Sequence, residues 1–188
     1  ENVLIEFRWA EGDYNRLPML AAELVRLPVA VIVTGGGEAS ALAAKAATRT
    51  IPIVCNLATD PVKTGLVAAL NHPGGNITGV NMLTTDMAAK RVGFLHDLLP
   101  ASLVIAHLVN PNFAATEDAI QEVETAAGRL GLTIVLFKAS NESDINAAFA
   151  SIREKQIGAL LVNSDAFFNS RRDQFVALAA HHAVPAVF

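Results

Sequence analysis

The 188-residue sequence holds a single cysteine and lacks both basic runs and metal-binding histidine patterns. The lone Cys55 excludes an internal disulfide and a cysteine-based zinc site, and its apolar surroundings predict a buried side chain. The five histidines show neither the HxxxH nor the HExxH spacing, so we expect no metal. With a formal net charge of −4 and no interleaved basic and aromatic stretch, the sequence is not typical of a nucleic-acid-binding protein, and we expect no nucleic acid partner.

Long apolar runs and enzyme signatures are also missing. Charged residues interrupt every apolar run well before about 18 residues, so the sequence predicts no membrane-spanning segment. No GxSxG elbow occurs and Asp60 has no evident histidine partner, so we expect no catalytic residues and no cofactor. No signal peptide precedes the first predicted strand, and both ends of the sequence lie inside predicted strands, so we expect segments to be missing at both ends.

Apolar residues make up 52% of the sequence and charged residues 17%, which is enough apolar material for a sizeable core. Short apolar runs alternate with longer segments of helical period, and this alternation predicts an α/β fold of parallel sheets with helices on both faces. The predicted strands are Val3–Trp9, Ala30–Thr34, Ile53–Leu57, Ile77–Asn81, Leu103–Val109, Thr133–Lys138, Ala159–Asn163 and Pro185–Phe188. The predicted helices are Asp13–Leu27, Glu38–Thr48, Pro61–Leu70, Thr85–Leu99, Ala114–Leu130, Asp144–Lys155 and Ser170–His182.

Two blocks of the sequence share a layout, VLIEFRWAEGDYNRLPMLAAELVRLPVAVIVTGG and LTIVLFKASNESDINAAFASIREKQIGALLVNSD. Phe7 corresponds to Phe137 and Thr34 to Ser164, at the same spacing in both cases. We therefore predict two similar lobes, residues 1–82 and residues 83–188, with the chain crossing once near residue 82. The alternative is that any two βαβ blocks look alike.

The stretch VIVTGGGEASALAAKA, Val31–Ala46, places three glycines between a predicted strand and a predicted helix. It does not match a P-loop, because no Lys-Ser or Lys-Thr pair follows at the required spacing, and Ser40 stands where a dinucleotide fingerprint needs its last glycine. Glu38 also places a negative charge at the helix N-terminus, which disfavours a phosphate. A carboxylate fits better, since glycine N–H groups approach it closely; the alternative is that the glycines only form a tight turn.

Polar residues follow four of the predicted strands, in TGGG, NLATD, NPN and NSDAFF. Ligands of open α/β sheets bind beyond the carboxyl ends of the strands, so we predict a cleft between the lobes that binds a small polar molecule. The candidate ligand-binding residues are Thr34, Gly35, Gly36, Asp60, Asn110, Asp165 and Phe167.

An amino-acid-like ligand would use the two charged ends of this set. Its carboxylate would bind the N–H groups of Gly35 and Gly36 and the hydroxyl of Thr34. Its ammonium would pair with Asp165, which holds the corresponding place in the second block. The structural alternative for Asp165 is a role in a loop or as a helix cap.

The remaining candidates also have structural alternatives. Asp60 precedes a proline and reads as a helix N-cap, and Asn110 precedes a proline where asparagine is common in turns. Phe167 or Phe168 would wall an apolar pocket for a side chain, while the other ring of the pair lies in the core. The residues 171–172, both arginine, are predicted to form a solvated helix face.

The sequence resembles the ABC transporter substrate-binding proteins that include the tryptophan and tyrosine type. The similarity is carried by NVLIEFRWAEGDYNRLPMLAAELVRLPVAVIVTGG, by IPIVCNLATDPVKTGLVAALNHPGGNITGV with its DPV and NxPGGN[IV]TG elements, by LVNPN, and by DAFFNSRRDQFVALAAHHAVPAVF. It extends over essentially the whole chain. The stretch GGGEAS departs from the family, which often has a smaller, proline-containing stretch there.

The resemblance implies a two-lobed type I periplasmic binding protein fold and an aromatic amino acid or another small solute as ligand. It also implies ABC transporter permease subunits as partners and a periplasmic or lipid-anchored extracytoplasmic location. Edges left by missing strands would favour self-association into a homo-oligomer. The alternatives from other classes are an α/β enzyme acting on a sugar or phosphate and the ligand-sensing domain of a regulatory protein.

Overall fold

The computed structural model describes residues 2–82 and 87–188, and the chain divides into two compact units, Glu1–Leu83 and Thr84–Phe188. The first unit contains a short 3₁₀ helix at Tyr14–Arg16, followed by α1 (Leu17–Arg26), β1 (Ile32–Thr34), α2 (Glu38–Ala47), β2 (Ile53–Leu57) and β3 (Ile77–Asn81). The second contains α3 (Ala88–Leu98), β4 (Val104–Val109), α4 (Thr116–Arg129), β5 (Thr133–Lys138), α5 (Glu142–Glu154), β6 (Ala159–Val162), α6 (Ala166–Asn169), α7 (Arg172–His182) and β7 (Ala186–Val187).

The sheet of the first unit is parallel, in the order β1-β2-β3. The strand register aligns Ile32 with Ile53 and Ile53 with Ile77, so the three isoleucines point to one face of the sheet. There they form a core with Ala41 and Ala44 of α2, and all five residues are buried. The small alanines let α2 pack closely on the sheet, and this fixes the loop that precedes the helix.

The sheet of the second unit is also parallel, in the order β5-β4-β6-β7. Helices α3 and α4 cover one face, where Val92 and Val123 pack with Ile105 and Leu161. The connections β4-α4-β5 and β5-α5-β6 run in opposite directions across the sheet, so right-handed crossovers place α5 on the other face together with α7. The predicted α/β architecture of parallel sheets flanked by helices is therefore confirmed.

The predicted strand Val3–Trp9 is wrong. These residues belong to no helix or strand, and Val3, Leu4, Ile5, Phe7 and Trp9 are all exposed. A strand needs a neighbour that supplies ladder hydrogen bonds, and within the described ranges no strand pairs with this segment.

The predicted helix Pro61–Leu70 is also wrong, because the chain makes only one turn there. Gly65 adopts φ +70°, and the N–H groups of Leu66 and Val67 both donate to the carbonyl of Pro61. This left-handed glycine closes the turn in the way that a glycine closes a helix. The start of the predicted helix Thr85–Leu99 lies outside the described residues, and the short helix α6 was not predicted.

Two buried titratable side chains report on the cores. Cys55 is buried as predicted, and burial raises the pKa of its thiol above the ordinary value. His107 in β4 is 1% exposed, and burial lowers the pKa of its imidazole to about 4. Neither ring nitrogen of His107 has a hydrogen-bond partner among the residues described. Within the described ranges we find no helix that combines the length and the apolar character needed to cross a bilayer.

Candidate functional site

In the first unit, the loop between β1 and α2 lies at the carboxyl end of the sheet. Thr34 ends β1 with a buried side chain, and its Oγ1 atom has no hydrogen-bond partner in the described part of the chain. Gly35 and Gly36 are exposed, and their N–H groups donate to no group within residues 2–82 and 87–188. The loop therefore presents two backbone donors and a hydroxyl beside one another, as the carboxylate hypothesis requires.

The third glycine of this loop has a different task. Gly37 is the N-cap residue of α2 and adopts φ +74° with ψ −158°, a combination that is essentially restricted to glycine. Gly37 has no side chain of its own that could cap this helix start. The backbone conformation of Gly37 therefore sets the direction in which α2 leaves the loop.

A buried carboxylate that was not predicted as a site residue holds this loop in place. Glu38 is 1% exposed, and its Oε1 atom accepts from the N–H of Ala58 at 2.8 Å. The same oxygen accepts from the N–H and the hydroxyl of Thr59, both at 2.7 Å. Glu38 thus joins the loop after β1 to the loop after β2, whereas the sequence analysis used it only as a negative charge at a helix N-terminus.

Asp60 lies in the loop after β2, next to the residues that Glu38 binds. Its Oδ1 atom accepts from the N–H of Val62 at 2.8 Å, and its carbonyl accepts from the N–H of Thr64 at 3.1 Å. Asp60 therefore caps a single turn and not the predicted helix, because Gly65 ends that turn. Its side chain is partly exposed.

In the second unit, Asn110 and Asp165 meet at the carboxyl ends of the neighbouring strands β4 and β6. Both residues are buried, and Nδ2 of Asn110 donates to Oδ2 of Asp165 at 3.2 Å. Oδ1 of Asp165 accepts from the N–H of Phe168 at 3.0 Å and so caps α6. Asn110 also closes its own turn, since its Oδ1 accepts from the N–H of Asn112 at 3.0 Å. The capping alternative for Asp165 is thus observed.

Phe167 and Phe168 are both buried, with ring centroids 5.5 Å apart. The guanidinium of Arg171 lies over the ring of Phe167 at 4.1 Å from the centroid, a cation–π contact, so this arginine is half-buried and not simply solvated. Phe168 packs edge-on against Phe175 of α7 at 5.4 Å. The two rings therefore have different surroundings, because the ring of Phe167 contacts a cation and the ring of Phe168 packs against another aromatic ring.

A cavity of about 310 Å³ lies beyond the end of β6 in the second unit. The residues that line it include Arg91, Asn163, Phe168, Arg172, Phe175 and Phe188. None of the seven predicted site residues is among its lining residues. The structure thus places the predicted residues in two groups, one in each unit, and adds a cavity that the sequence analysis did not predict. Among the described residues, no three potential ligands come together to bind a metal ion.

The chain is similar to several known proteins over nearly its full length. A Clostridioides difficile (strain R20291) protein named tyrosine-binding protein is 27% identical over 188 residues, which is 100% of this chain and 53% of that relative. An ABC domain from Streptococcus pneumoniae in complex with L-Trp superimposes with a TM-score of 0.82 at 25% identity, covering 98% of this chain and 62% of that structure. A conserved domain protein from Vibrio cholerae gives a TM-score of 0.86 at 26% identity, covering 99% and 62%.

These similarities and the parallel sheets flanked by helices define the fold as that of the type I periplasmic binding proteins. The chain belongs to the family of ABC transporter substrate binding proteins, whose family model matches residues 1–187. It spans about half the length of the curated relative it matches, 53%, and 62% of each of these two solved structures.

Proposed function

We propose that this protein is the solute-binding component of an ABC importer and that it binds a small amino-acid-like ligand without changing it chemically. The proposal is carried by two features together: donors at Thr34, Gly35 and Gly36 that have no acceptor in the described part of the chain, and a buried, oriented carboxylate at Asp165. A zwitterion carries the two complementary charges. Family membership over residues 1–187 supports the transport role.

The ligand we favour is an aromatic amino acid. The relative named tyrosine-binding protein and the structure in complex with L-Trp support this class. In this chain the buried pair Phe167 and Phe168 provides aromatic surface next to Asp165 in sequence. An aromatic side chain would pack against such rings in offset or edge-on geometry.

The first unit would bind the ligand carboxylate. Two exposed glycine N–H groups and the Oγ1 atom of Thr34 donate to oxygens of one anion, and the N-terminus of α2 adds a favourable dipole. Glu38 would act through the loops and not on the ligand, since its Oε1 atom is occupied by three donors from Ala58 and Thr59. Asp60 would lie at the rim of this group of donors.

The second unit would bind the ligand ammonium. The carboxylate of Asp165 is held by Asn110 and by the N–H of Phe168, so its orientation is fixed before a ligand arrives. A cation near a buried carboxylate gains more than one near an exposed carboxylate, because less water screens the pair. Asn110 would position Asp165 and would not itself need to touch the ligand.

We further infer that the protein works outside the cytoplasm and delivers its ligand to the membrane subunits of the transporter. The family assignment supports both inferences, since solute-binding components of importers meet their solute on the outer side of the membrane. Binding without turnover agrees with the roles assigned above, because none of them requires a proton transfer or a nucleophile.

The test is calorimetric titration with tryptophan and tyrosine, followed by analogues that lack one charged end. Asp165→Ala should weaken tryptophan binding by about 2–5 kcal/mol, while indole-3-propionate, which has no ammonium, should bind both proteins equally. Thr34→Val should cost about 1 kcal/mol with tryptophan and nothing with tryptamine, which has no carboxylate. Arg129→Gln, at the exposed end of α4, serves as the matched control.

Two results would contradict the proposal at different levels. If Asp165→Ala binds tryptophan as tightly as the parent protein, the ammonium assignment is wrong. If no amino acid binds the parent protein, the ligand class is wrong, while the family assignment stands because it depends on residues 1–187 of the sequence.

A further inference from the structure

The cavity beyond β6 shares only Phe168 with the residues that the proposed solute site uses. It lies wholly in the second unit, and neither Asn110 nor Asp165 nor Phe167 is among its lining residues. Its volume of about 310 Å³ falls at the lower end of the range for small-molecule pockets. The side chains that line it therefore indicate which ligand this cavity can bind.

Two guanidinium groups line this cavity. Arg91 comes from α3 and Arg172 from the first turn of α7, and no acidic residue is among the described residues that line it. Neither arginine forms an ion pair within residues 2–82 and 87–188. Burial lowers the pKa of the Arg91 guanidinium below its ordinary value, which means that its charge is partly desolvated without compensation. Two guanidinium groups that line the same cavity, with no acidic residue among its described lining residues, attract an anion.

A buried amide supplies a neutral donor at the same place. Asn163 follows β6 and is 6% exposed, and its backbone N–H is used by the carbonyl of Leu108 at 2.9 Å. Its side-chain Nδ2 atom is buried and has no hydrogen-bond partner among the described residues. A buried donor without an acceptor is costly, so a ligand oxygen at Nδ2 would satisfy a group that the fold leaves unsatisfied.

The remaining wall is aromatic. Phe175 is 1% exposed and contacts Phe168 edge-on at 5.4 Å and Phe188 at 5.9 Å between ring centroids. All three rings line the cavity. Such a wall favours a ligand with an apolar body over a small inorganic anion, because burying a ring or chain against it removes apolar surface from water.

We propose that this cavity binds a small organic carboxylate with an apolar ring or chain, its oxygens facing Arg91, Arg172 and the Nδ2 atom of Asn163, and its apolar body lying against the three phenylalanines. A carboxylate accepts two parallel hydrogen bonds from one guanidinium and still has lone pairs for an amide donor. This site goes beyond the proposed function, because it is selective for a negative ligand and shares only Phe168 with the residues assigned to the amino acid.

The experiment titrates the isotopically labelled protein with phenylacetate and follows the side-chain resonances of Asn163 and the arginines by NMR. Saturable shifts are expected for phenylacetate, whereas phenethylamine and 2-phenylethanol should cause none. Inorganic phosphate should bind at least about tenfold more weakly than phenylacetate, because it lacks the apolar body. Raising the salt concentration should weaken phenylacetate binding.

Three variants sharpen the test. Arg172→Gln and Asn163→Asp should each weaken phenylacetate binding about tenfold or more, the second by placing a carboxylate against the ligand. Arg172 is exposed, so its substitution is not expected to disturb folding, and Arg129→Gln is the matched control that should leave the affinity unchanged. Saturating tryptamine, which has an ammonium but no carboxylate, should leave the phenylacetate affinity of the parent protein unchanged, and this separates the cavity from the amino-acid site.

Several results would overturn the inference. One is that phenethylamine or phosphate binds as tightly as phenylacetate, and another is that Arg172→Gln and Asn163→Asp bind phenylacetate as tightly as the parent protein. The third is that no resonance shifts up to about 10 mM phenylacetate, because a dissociation constant above that concentration is too weak for a specific site. Competition between tryptamine and phenylacetate would show that this cavity and the amino-acid site are one site.

Discussion

In both units a buried carboxylate links the loops that follow two neighbouring strands, but the two carboxylates have different partners. In the first unit Glu38 links the loop after β1 to the loop after the neighbouring strand β2. In the second unit Asp165 links the loop after β6 to the loop after the neighbouring strand β4 through Asn110. Both devices fix the carboxyl edge of a parallel sheet, where ligands of such folds bind.

The difference lies in what each device leaves exposed. Glu38 binds backbone and hydroxyl donors of the opposite loop, and the N–H groups of the glycines 35–36 have no acceptor among the described residues. Asp165 caps α6, and the chain that follows turns aromatic side chains inward at Phe167 and Phe168. The first unit therefore presents mainly backbone N–H donors, while the second presents aromatic rings and charged side chains. We expect recognition of a common group in the first unit and selectivity in the second.

The largest effect should come from breaking the link in the first unit. Glu38→Ala would leave three donors of Ala58 and Thr59 without their buried acceptor, so we expect the free energy of unfolding to fall by about 3–5 kcal/mol. Urea unfolding measures the loss. Residue-resolved hydrogen exchange should place it in the loops after β1 and β2 first.

Glu38→Gln is the matched control, because its side-chain oxygen can still accept from the same donors. Its loss of stability should be less than half that of the alanine variant. An alanine variant as stable as the parent protein would show that water replaces the carboxylate at no cost, and the comparison between the units would then fail.

The second effect belongs to the second unit alone and depends on pH. His107 has a folded pKa of about 4 against an ordinary value of 6.5, so the unfolded chain takes up a proton first as the pH falls. Its contribution to stability is complete above pH 6.5 and decreases as the pH drops towards 4, a loss of about 3 kcal/mol. The measurement is urea unfolding across this range.

The variant His107→Leu separates this residue from the other groups that titrate there. It keeps the buried position in β4 apolar and removes the proton site, so the stability difference between variant and parent should grow as the pH falls from 6.5 to 4. A constant difference over that range would mean that the imidazole is protonated equally in both states.

The alternation of strands and helices was predictable because it follows from hydrophobic periodicity. β2, β3 and β5 begin and end at the predicted residues. The two wrong elements lie where hydrophobic periodicity alone does not determine whether a strand or a helix forms. Val3–Trp9 has the pattern of a strand but pairs with none among the described residues, and Gly65 ended a helix that the apolar pattern had predicted.

The candidate site could be predicted only in part. The strand-end positions of Thr34 and Asp165 follow from the sequence, because polar residues after buried strands mark the carboxyl edge. Two features could not be predicted, the link from Glu38 to Thr59 and the Nδ2 atom of Asn163 without a partner among the described residues, since both depend on how neighbouring strands bring their loops together. The roles of the seven predicted residues in ligand binding stay predictions.

A third, smaller effect distinguishes the glycines of the first unit from one another. Gly37→Ala should cost about 2 kcal/mol, because φ +74° with ψ −158° is strained for any residue with a Cβ atom. Gly35→Ala should cost almost nothing, since an added Cβ atom would meet no atom within 4 Å and Gly35 is not among the residues with positive φ. Thermal unfolding of the two variants measures the contrast, and equal losses would argue against the assigned backbone geometry.

The smallest effect separates the two structural roles of Asp165, the cap of α6 and the hydrogen bond with Asn110. Serine is a good N-cap residue, so Asp165→Ser should keep the cap of α6 and lose the contact with Asn110, which is worth about 1 kcal/mol. Combining it with Asn110→Ala in a double-mutant cycle should give a coupling free energy of the same size, about 1 kcal/mol, because the two side chains meet directly. Chemical unfolding of the four proteins supplies the cycle.

Asp165→Ala should lose more than the serine variant, since it removes the cap of α6 as well. If the coupling free energy is zero, the Asn110–Asp165 bond does not stabilise the unit, and Asp165 is then not the counterpart of Glu38. If coupling is present and Asp165→Ser also loses tryptophan binding far beyond its cost in stability, the same carboxylate holds the loops and recognises the ligand, which Glu38, with its Oε1 atom occupied by three donors, does not do.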